Sequence, residues 1–450
     1  MESIRSWTWR RLSYVLAAVL AVQAGLFLWL YQPASLDILN FPSGRHSSKG
    51  ALRQDGLSSV QCLSAYPQLY HEIDRATTLW ESKNHIISKE DIDISWQATG
   101  PFDGGAMRIL IHQNQLRVVE SINAMADPAY QERGLGILQL IQRALNAASA
   151  GKELLPTIEA AIVLQDVSYP PTEDGTHGFW TWTRPYHDIH FNRTNMWEGQ
   201  ELHYERFWSN ETFKRVWLVP NFDFWYTKAI GSYDTAKSLA RSHDEAPKIP
   251  KIVWRGTEWV NPEIRDVLVN ITKDKPWADV AYSNVNNANR VGAGAAAQSN
   301  HIDAADLCNY AMTVHTEGFS YSGRLKHLLN CNSLPFIHKL NYTTHYYHLL
   351  KKDGPNQNYV PVQNDFSDLE EKVLHYLAHP KEAQRIIDNH LATFREKYLT
   401  NDATSCYLRR LIQQYATVSF TPEVTLPGHK NLRGRDWKSF LAHPEDFKES

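Results

Sequence analysis

The sequence lacks a charge of one dominant sign. Its 46 Lys and Arg nearly balance 49 Asp and Glu, leaving a net charge of −3 over 450 residues. No long-range field therefore draws the chain to nucleic acid or to an anionic membrane surface. Two common phosphate-reading motifs are also missing. The absence of a Gly-x-x-x-x-Gly-Lys-Ser/Thr run argues against a P-loop nucleotidase. Without Gly-x-Gly-x-x-Gly, a dinucleotide fold has no anchor, since Gly292-Ala293-Gly294 is an isolated pair outside any strand–helix context. No internal repeat is visible, which argues against a solenoid or propeller. Cysteine is scarce, at four residues, and no basic residue occurs between Arg11 and Arg45.

That cation-free stretch opens with the apolar run of residues 12–31, which carries no charged side chain. Twenty such residues in a helix span about 30 Å, the thickness of a bilayer's hydrocarbon core. Arg5, Arg10 and Arg11 precede the run, so the positive-inside rule places residues 1–11 in the cytosol and the remainder in the lumen. Val22-Gln23-Ala24 has the form of a signal-peptidase site, but the run continues past it, longer than a signal core. The reading is an uncleaved, single-pass type II anchor. In an oxidising lumen the four cysteines Cys62, Cys308, Cys331 and Cys406 imply two disulfides, with three connectivities open. Acceptor sequons at Asn192, Asn210, Asn270 and Asn341 agree with a secretory route.

Beyond the anchor, residues 32–59 are rich in Pro, Ser and Gly and read as a flexible stem. Helical patterning dominates residues 60–150, followed by a β-prone apolar run at 157–164 that ends in Gln165-Asp166. A carboxylate just past a buried strand lies at a sheet's carboxyl edge, where open α/β folds place ligands. Residues 178–225 are aromatic. Trp180, Trp182 and Tyr186 there either form a wall that stacks on a sugar ring or pack in the core. A break at 243–250 separates a first domain, 60–243, from a second, 247–399. The second opens with a strand at 251–254 and a helix carrying Ile264, Val267, Leu268 and Ile271, and it has further strands at 280–282, 334–338 and 359–362. A closing helix at 400–420 is expected to pack back on the first domain, and 421–450 reads as a polar tail. Strands alternating with helices predict parallel α/β sheets.

The chemistry concentrates in Glu317-Gly-Phe-Ser-Tyr-Ser-Gly-Arg-Leu-Lys-His-Leu-Leu-Asn330. Leu325, Leu328 and Leu329 carry helical spacing, Ser322 stands where an N-cap belongs, and Arg324 sits in the first turn. A helix start with an Arg presents unpaired N–H groups and a planar fork of donors, a geometry suited to a diphosphate. Arg255 and Arg265 recur at neighbouring element ends. At an effective dielectric near 20, each charge 4 Å from a phosphate contributes about 4 kcal/mol before desolvation. Two metal-like patterns are weaker. Asp91-x-Asp93 reads as a solvated acidic patch, and His187-Asp-Ile-His190 lacks a companion cluster. No metal is assigned to either.

Trp254-Arg-Gly-Thr257, Glu263-Ile-Arg-Asp266, the Glu317 to Lys326 motif, Tyr359-Val-Pro-Val362 and Asp365 with Ser367-Asp-Leu together resemble glycosyltransferase family 90. This group comprises fungal capsule-associated xylosyltransferases and animal protein O-glucosyltransferases. The resemblance spans residues 158–415. It implies a GT-B architecture, with two Rossmann-like domains facing across a cleft, and inverting transfer from a UDP-sugar without a required metal or other cofactor. It implies that Arg255, Thr257, Arg265, Glu317, Ser322 and Arg324 surround the UDP. Glu317 stands where the family usually has Asp. Asp166 takes the place of the catalytic base. It further implies that Cys308 pairs with Cys331 across the donor motif, which leaves Cys62 for Cys406. Closing the first of these loops is worth about 3–4 kcal/mol in the chain-entropy view. The expected partners are a UDP-sugar, either xylose or glucose, and a glycan or glycoprotein hydroxyl in the Golgi or endoplasmic reticulum. The alternatives are a Mn²⁺-dependent GT-A transferase and an inactive glycan-binding homologue. A sugar hydrolase would need a second carboxylate opposite Asp166, and none is evident.

Overall fold

In the computed structural model the chain divides into two compact units, residues 1–53 and 54–450. The described residues are 56–98, 104–125, 127–166, 177–197, 200–228, 230–258, 260–283 and 300–448, without the side chains of 190–206. The expected anchor at 12–31 lies outside them, as does most of the expected stem. Among the described residues no helix is long and apolar enough to cross a membrane.

The first sheet grows from a hairpin. Strands β1 (Ala106–His112) and β2 (Gln115–Ile122) are joined by Gln113 and Asn114, both at positive φ. Two such residues form the tight turn whose twist matches paired strands, so the pair is antiparallel. Helix α1 (Pro128–Ala150) starts where the Asp127 carboxylate accepts the N–H groups of Ala129 and Tyr130, with Pro in its first turn. It returns the chain to β3 (Ile158–Val163), antiparallel to β1, after which β4 (Trp180–Thr181) and β5 (Trp217–Leu218) add in parallel. The sheet is therefore mixed rather than parallel throughout, because a two-residue turn cannot connect parallel strands.

The second sheet is parallel, as the alternating pattern predicts. Its strands are β6 (Ile249–Gly256), β7 (Ala278–Tyr282), β8 (Tyr310–His315), β9 (Leu334–His338) and β10 (Val360–Val362), in the order β7-β6-β8-β9-β10. Helix α2 (Pro262–Thr272) links β6 to β7, and the short helix α3 (Arg324–Leu328) follows β8. Helix α4 (Asn401–Val418), capped by the Thr400 hydroxyl, buries Leu408, Leu411, Ile412 and Tyr415 in the core of the first sheet. The segment expected as a polar tail carries β11 (Arg435–Asp436) and β12 (Phe447–Lys448), both paired with β2.

There are two main cores. Ile109, Ile141, Ile162, Trp180 and Trp217 belong to the first; Ile252, Trp254, Leu268, Met312 and Phe336 belong to the second. Leu325 and Leu329, at the end of the loop after β8, pack into the first core. That loop thus leaves one sheet and anchors in the hydrophobic body of the other. Disulfides join Cys308 to Cys331 and Cys62 to Cys406, the two pairs the resemblance implies.

Candidate active site

Strand order fixes where a ligand can enter the second sheet. From β6 the chain moves to β7 on one side and then to β8 on the other, so the sheet has a topological switch point between β6 and β8. The loops leaving their carboxyl ends diverge there and open a crevice. Residues 256–257 form one lip and 316–318 the other. Arg265, on α2, bridges them: its guanidinium donates to Thr257 O and Oγ1 at 3.0 Å and to Glu317 O at 3.1 and 3.2 Å. None of these partners carries charge. Burial, with Arg324 nearby, pushes Arg265 down to about 10.

The other two arginines behave differently from each other. Arg255 is neutralised, with Nη2 at 2.7 Å from Asp279 Oδ1 and its other donors on the carbonyls of Asn300, Trp254 and Asp279. Arg324 makes no hydrogen bond or ion pair among the described residues, and burial pushes it down to about 10. Behind it lies His315, at the end of β8 and 1% exposed, its ring stacked on His338 with centroids 6.4 Å apart. Neither ring nitrogen of His315 has a hydrogen-bond partner among the described residues. Burial, then His338, Arg324 and Arg265, hold it well below the usual imidazole range, so it is neutral.

Glu317 faces away from the crevice. Its carboxylate accepts the backbone N–H groups of Asn341 (3.0 and 3.1 Å) and Tyr342 (2.9 Å), and its own N–H donates to His338 Nε2. Burial pushes this carboxyl up to about 7, with the two N–H donors opposing the shift. In this structure Glu317 is a latch on the loop after β9. Ser322 is not the cap: Gly323 occupies the N-cap position, with no side-chain bond, and α3 has five residues. So short a helix has little dipole, and the cationic character of the loop rests on Arg324.

The first sheet meets this loop with the ends of its own parallel strands. Asp166 follows β3, 44% exposed, with Oδ1 at 3.0 Å from Arg133 Nη2. Ser320 Oγ donates to the Asp166 carbonyl at 2.8 Å, joining the carboxylate-bearing loop to the arginine-bearing one. After β5, Asn221 Nδ2 donates to Tyr321 Oη at 3.0 Å, and Asp223 forms a buried ion pair with Lys326. The structure therefore brings Asp166, Thr257, Arg265, Ser322 and Arg324 to one region, while the Arg255 guanidinium and the Glu317 carboxylate turn to protein partners.

Other expectations need correction. Trp180 and Trp182 are both 0% exposed and pack edge-on against Tyr415 and Phe222, so they are core residues and offer no face to a sugar. Tyr186 remains 49% exposed, beneath the Arg184 guanidinium. Asp91 is buried, not solvated: its carboxylate holds Ser88 N–H and the His85 ring, while Asp93 accepts from Ser95. No group of three His, Cys, Asp or Glu is placed to hold a metal among the described residues. Of the sequons, Asn270 is exposed on α2, Asn210 begins a short helix, Asn341 is tied through its backbone to Glu317, and the Asn192 side chain lies outside the described set. Sequence reasoning missed Arg133, Asn221 and Asp223, and gave no role to Ser320 and Lys326 inside the motif it singled out. Asp223 is a charged residue between Phe222 and Phe224, a signal that could have marked it.

Comparison with known proteins fits this geometry. Residues 206–431, half the chain, match the profile of glycosyl transferase family 90. The chain is 31% identical to protein O-glucosyltransferase 2 of Danio rerio over 148 residues, 32% of this chain and 27% of that protein. It is 27% identical to protein O-glucosyltransferase 1 of Homo sapiens over 274 residues, 58% and 63% of the two, and 28% identical to the Rattus norvegicus protein of the same name over 243 residues, 52% and 55%. In each case the match spans less than two thirds of the relative. The family match begins beyond β3, so Asp166 lies outside it. Because that profile matches half of its residues, the chain belongs to glycosyl transferase family 90.

Proposed function

We propose that this chain is a glycosyltransferase that moves xylose or glucose from a UDP-sugar to a hydroxyl of a glycan or glycoprotein, with inversion and without a metal. One observation carries the reading: Arg324, a half-buried guanidinium with no hydrogen-bond or ion-pair partner among the described residues, stands at the switch-point crevice on a loop bonded to that of Asp166. An uncompensated cation in low dielectric favours a ligand that brings negative charge, and its planar fork matches a phosphate. The two sheets present the carboxyl ends of their parallel strands to a shared loop, an arrangement consistent with a GT-B cleft.

The chemistry follows from these positions. Asp166 accepts the proton of the acceptor hydroxyl as it attacks the anomeric carbon from the face opposite the leaving group. As the bond to UDP breaks, charge grows on the β-phosphate oxygen and Arg324 stabilises it, with Arg265 contributing through the field it adds to the crevice. Arg133 fixes the direction of the Asp166 carboxylate. Tyr186 is an exposed member of the aromatic segment and is placed to meet the acceptor. Residues 12–31 supply the type II anchor that holds the enzyme in a Golgi or endoplasmic reticulum membrane, a role supported by their length and flanking charges.

The test is a panel of UDP-sugars offered to the purified lumenal portion in the presence of EDTA, read as donor hydrolysis or transfer. Turnover of UDP-xylose or UDP-glucose with EDTA present is expected; activity abolished by EDTA and restored by Mn²⁺ would refute metal independence. Asp166→Asn should lower transfer by about 10²–10⁴-fold and leave UDP affinity near wild type by calorimetry. Retained transfer would reassign the base.

A further inference from the structure

A buried ion pair lies under the loop that carries Arg324, and it joins the two sheets. The Lys326 and Asp223 side chains, 1% and 10% exposed, are in direct contact through Nζ and Oδ2. Lys326 Nζ also donates to Gly323 O at 3.1 Å and lies 5.1 Å from the centroid of the Phe224 ring. Gly323 has no room for a side chain, since a methyl group there would collide with Asp223 Oδ2. One turn earlier, Asn221 holds the hydroxyl of Tyr321. The 221–224 loop of the first sheet thus contacts residues 321, 323 and 326, on both sides of Arg324.

Helix geometry shows what this grip does. Residues two apart on a helix point in nearly opposite directions, about 200° apart. If Lys326 is drawn into the first sheet's loops, Arg324 must face the other way, toward the crevice. Leu325 and Leu329 set part of that rotation by packing into the first core, and in a helix of five residues without a side-chain cap the ion pair adds a directional bond to it. An apolar pair of similar volume would fill the same space at equal or lower free-energy cost, but without the directional bond.

We propose that Asp223 and Lys326 are the positioning pair of the diphosphate site, fixing the rotation of α3 so that the Arg324 fork addresses the nucleotide. The inference rests on the donor-site reading above and adds to it two residues that touch neither donor nor acceptor. Because the pair spans both bodies, it also makes nucleotide affinity depend on the first sheet's loop at 221–224. Burial pushes the Asp223 carboxyl up and the Lys326 ammonium down, and the contact between them opposes both shifts, so neither group is replaceable alone without loss.

The experiment is calorimetric titration of UDP into the full chain and its Lys326→Met, Asp223→Asn, Arg324→Ala and Lys326→Met/Arg324→Ala variants, with donor and acceptor KM measured alongside. Either pair variant should weaken UDP by about ten- to a hundredfold and raise donor KM while acceptor KM stays near wild type. In the Arg324→Ala background, Lys326→Met should add less than about twofold, because both act through one contact. Equal losses with and without Arg324, or UDP affinity within about twofold of wild type in both pair variants, would overturn the proposal. Should a single variant fail to fold, Asp223→Asn/Lys326→Gln removes both charges, keeps a hydrogen bond and is read by the same criteria. UDP binding unchanged by Arg324→Ala would instead refute the donor-site reading, and the positioning role with it.

Discussion

The two sheets treat buried charge in opposite ways. Inside the first, Arg108 sits between Glu120 (3.1 Å) and Glu159 (2.8 Å), Arg433 also reaches Glu159 at 2.8 Å, and Lys448 reaches Glu120 at 3.2 Å. Glu72 lies between Arg75 and Arg184; burial alone would push its carboxyl up, but the two arginines outweigh burial and hold it at about 2. Every one of these ions has an opposite neighbour. At the carboxyl edge of the second sheet, Arg265 and Arg324 have no carboxylate among the described residues, and Glu317, within reach of Arg265, offers it a carbonyl instead of its acid. Closed networks fix a fold, whereas cations left open keep a standing desolvation cost that only a ligand's charge relieves. The contrast separates structural arginines from functional ones without reference to any sequence motif.

Paired substitutions sharpen that contrast. Arg108→Met removes the cation shared by two carboxylates that are 0% exposed, leaving Arg433 on Glu159 and Lys448 on Glu120, and should lower unfolding free energy by about 3 kcal/mol, the low end for a broken buried pair, in denaturant titration, with UDP affinity of the folded protein unchanged. Arg324→Ala should leave denaturant stability near wild type, because its guanidinium makes no hydrogen bond or ion pair among the described residues. Its UDP affinity and transfer rate should fall by about one to two orders of magnitude, the loss of charge-assisted bonds worth roughly 1.5–3 kcal/mol. The comparison breaks if Arg324→Ala destabilises the fold while sparing UDP, or if Arg108→Met reduces affinity more than stability.

The parts of this site that were legible in sequence are those written in local pattern. The β6 run ending in Arg255-Gly256-Thr257 and the helical spacing of Leu325, Leu328 and Leu329 both show in a short window, and the structure has both elements. The residues that decide direction were not legible. Ser322 has the chemistry of a cap, but Gly323 takes that place, at a point where a side chain would meet the carboxylate of Asp223, distant in sequence. Arg255 and Arg324 look alike beside their glycines; Asp279, on the neighbouring strand, distinguishes them. Trp180 and Trp182 show the limit of composition, since an aromatic-rich segment supplies core and binding surface alike and only packing assigns which. Strands β11 and β12 have two residues each, too few for alternation to register.

Glu317 offers the finest test of the open-charge edge, through pH. Its folded carboxyl lies at about 7 against an ordinary 4.5, so the folded state binds a proton more tightly than the unfolded one. Stability from this group is then fully present below pH 4.5 and is lost as pH rises toward 7, where the buried carboxylate must ionise. The span corresponds to roughly 3.4 kcal/mol at most. His338, the nearest imidazole, is held below its usual value by burial, which keeps its own titration from compensating in the upper part of that window. Glu317→Gln keeps an oxygen acceptor for the Asn341 and Tyr342 N–H groups but cannot ionise. In thermal unfolding the variant should match wild type near pH 4.5 and exceed it by a growing margin up to pH 8. A constant difference across that range would mean that the acid finds a cation in solution. Glu317 would then belong with the closed networks of the first sheet, and the division between the two sheets would fail at the residue most sensitive to it.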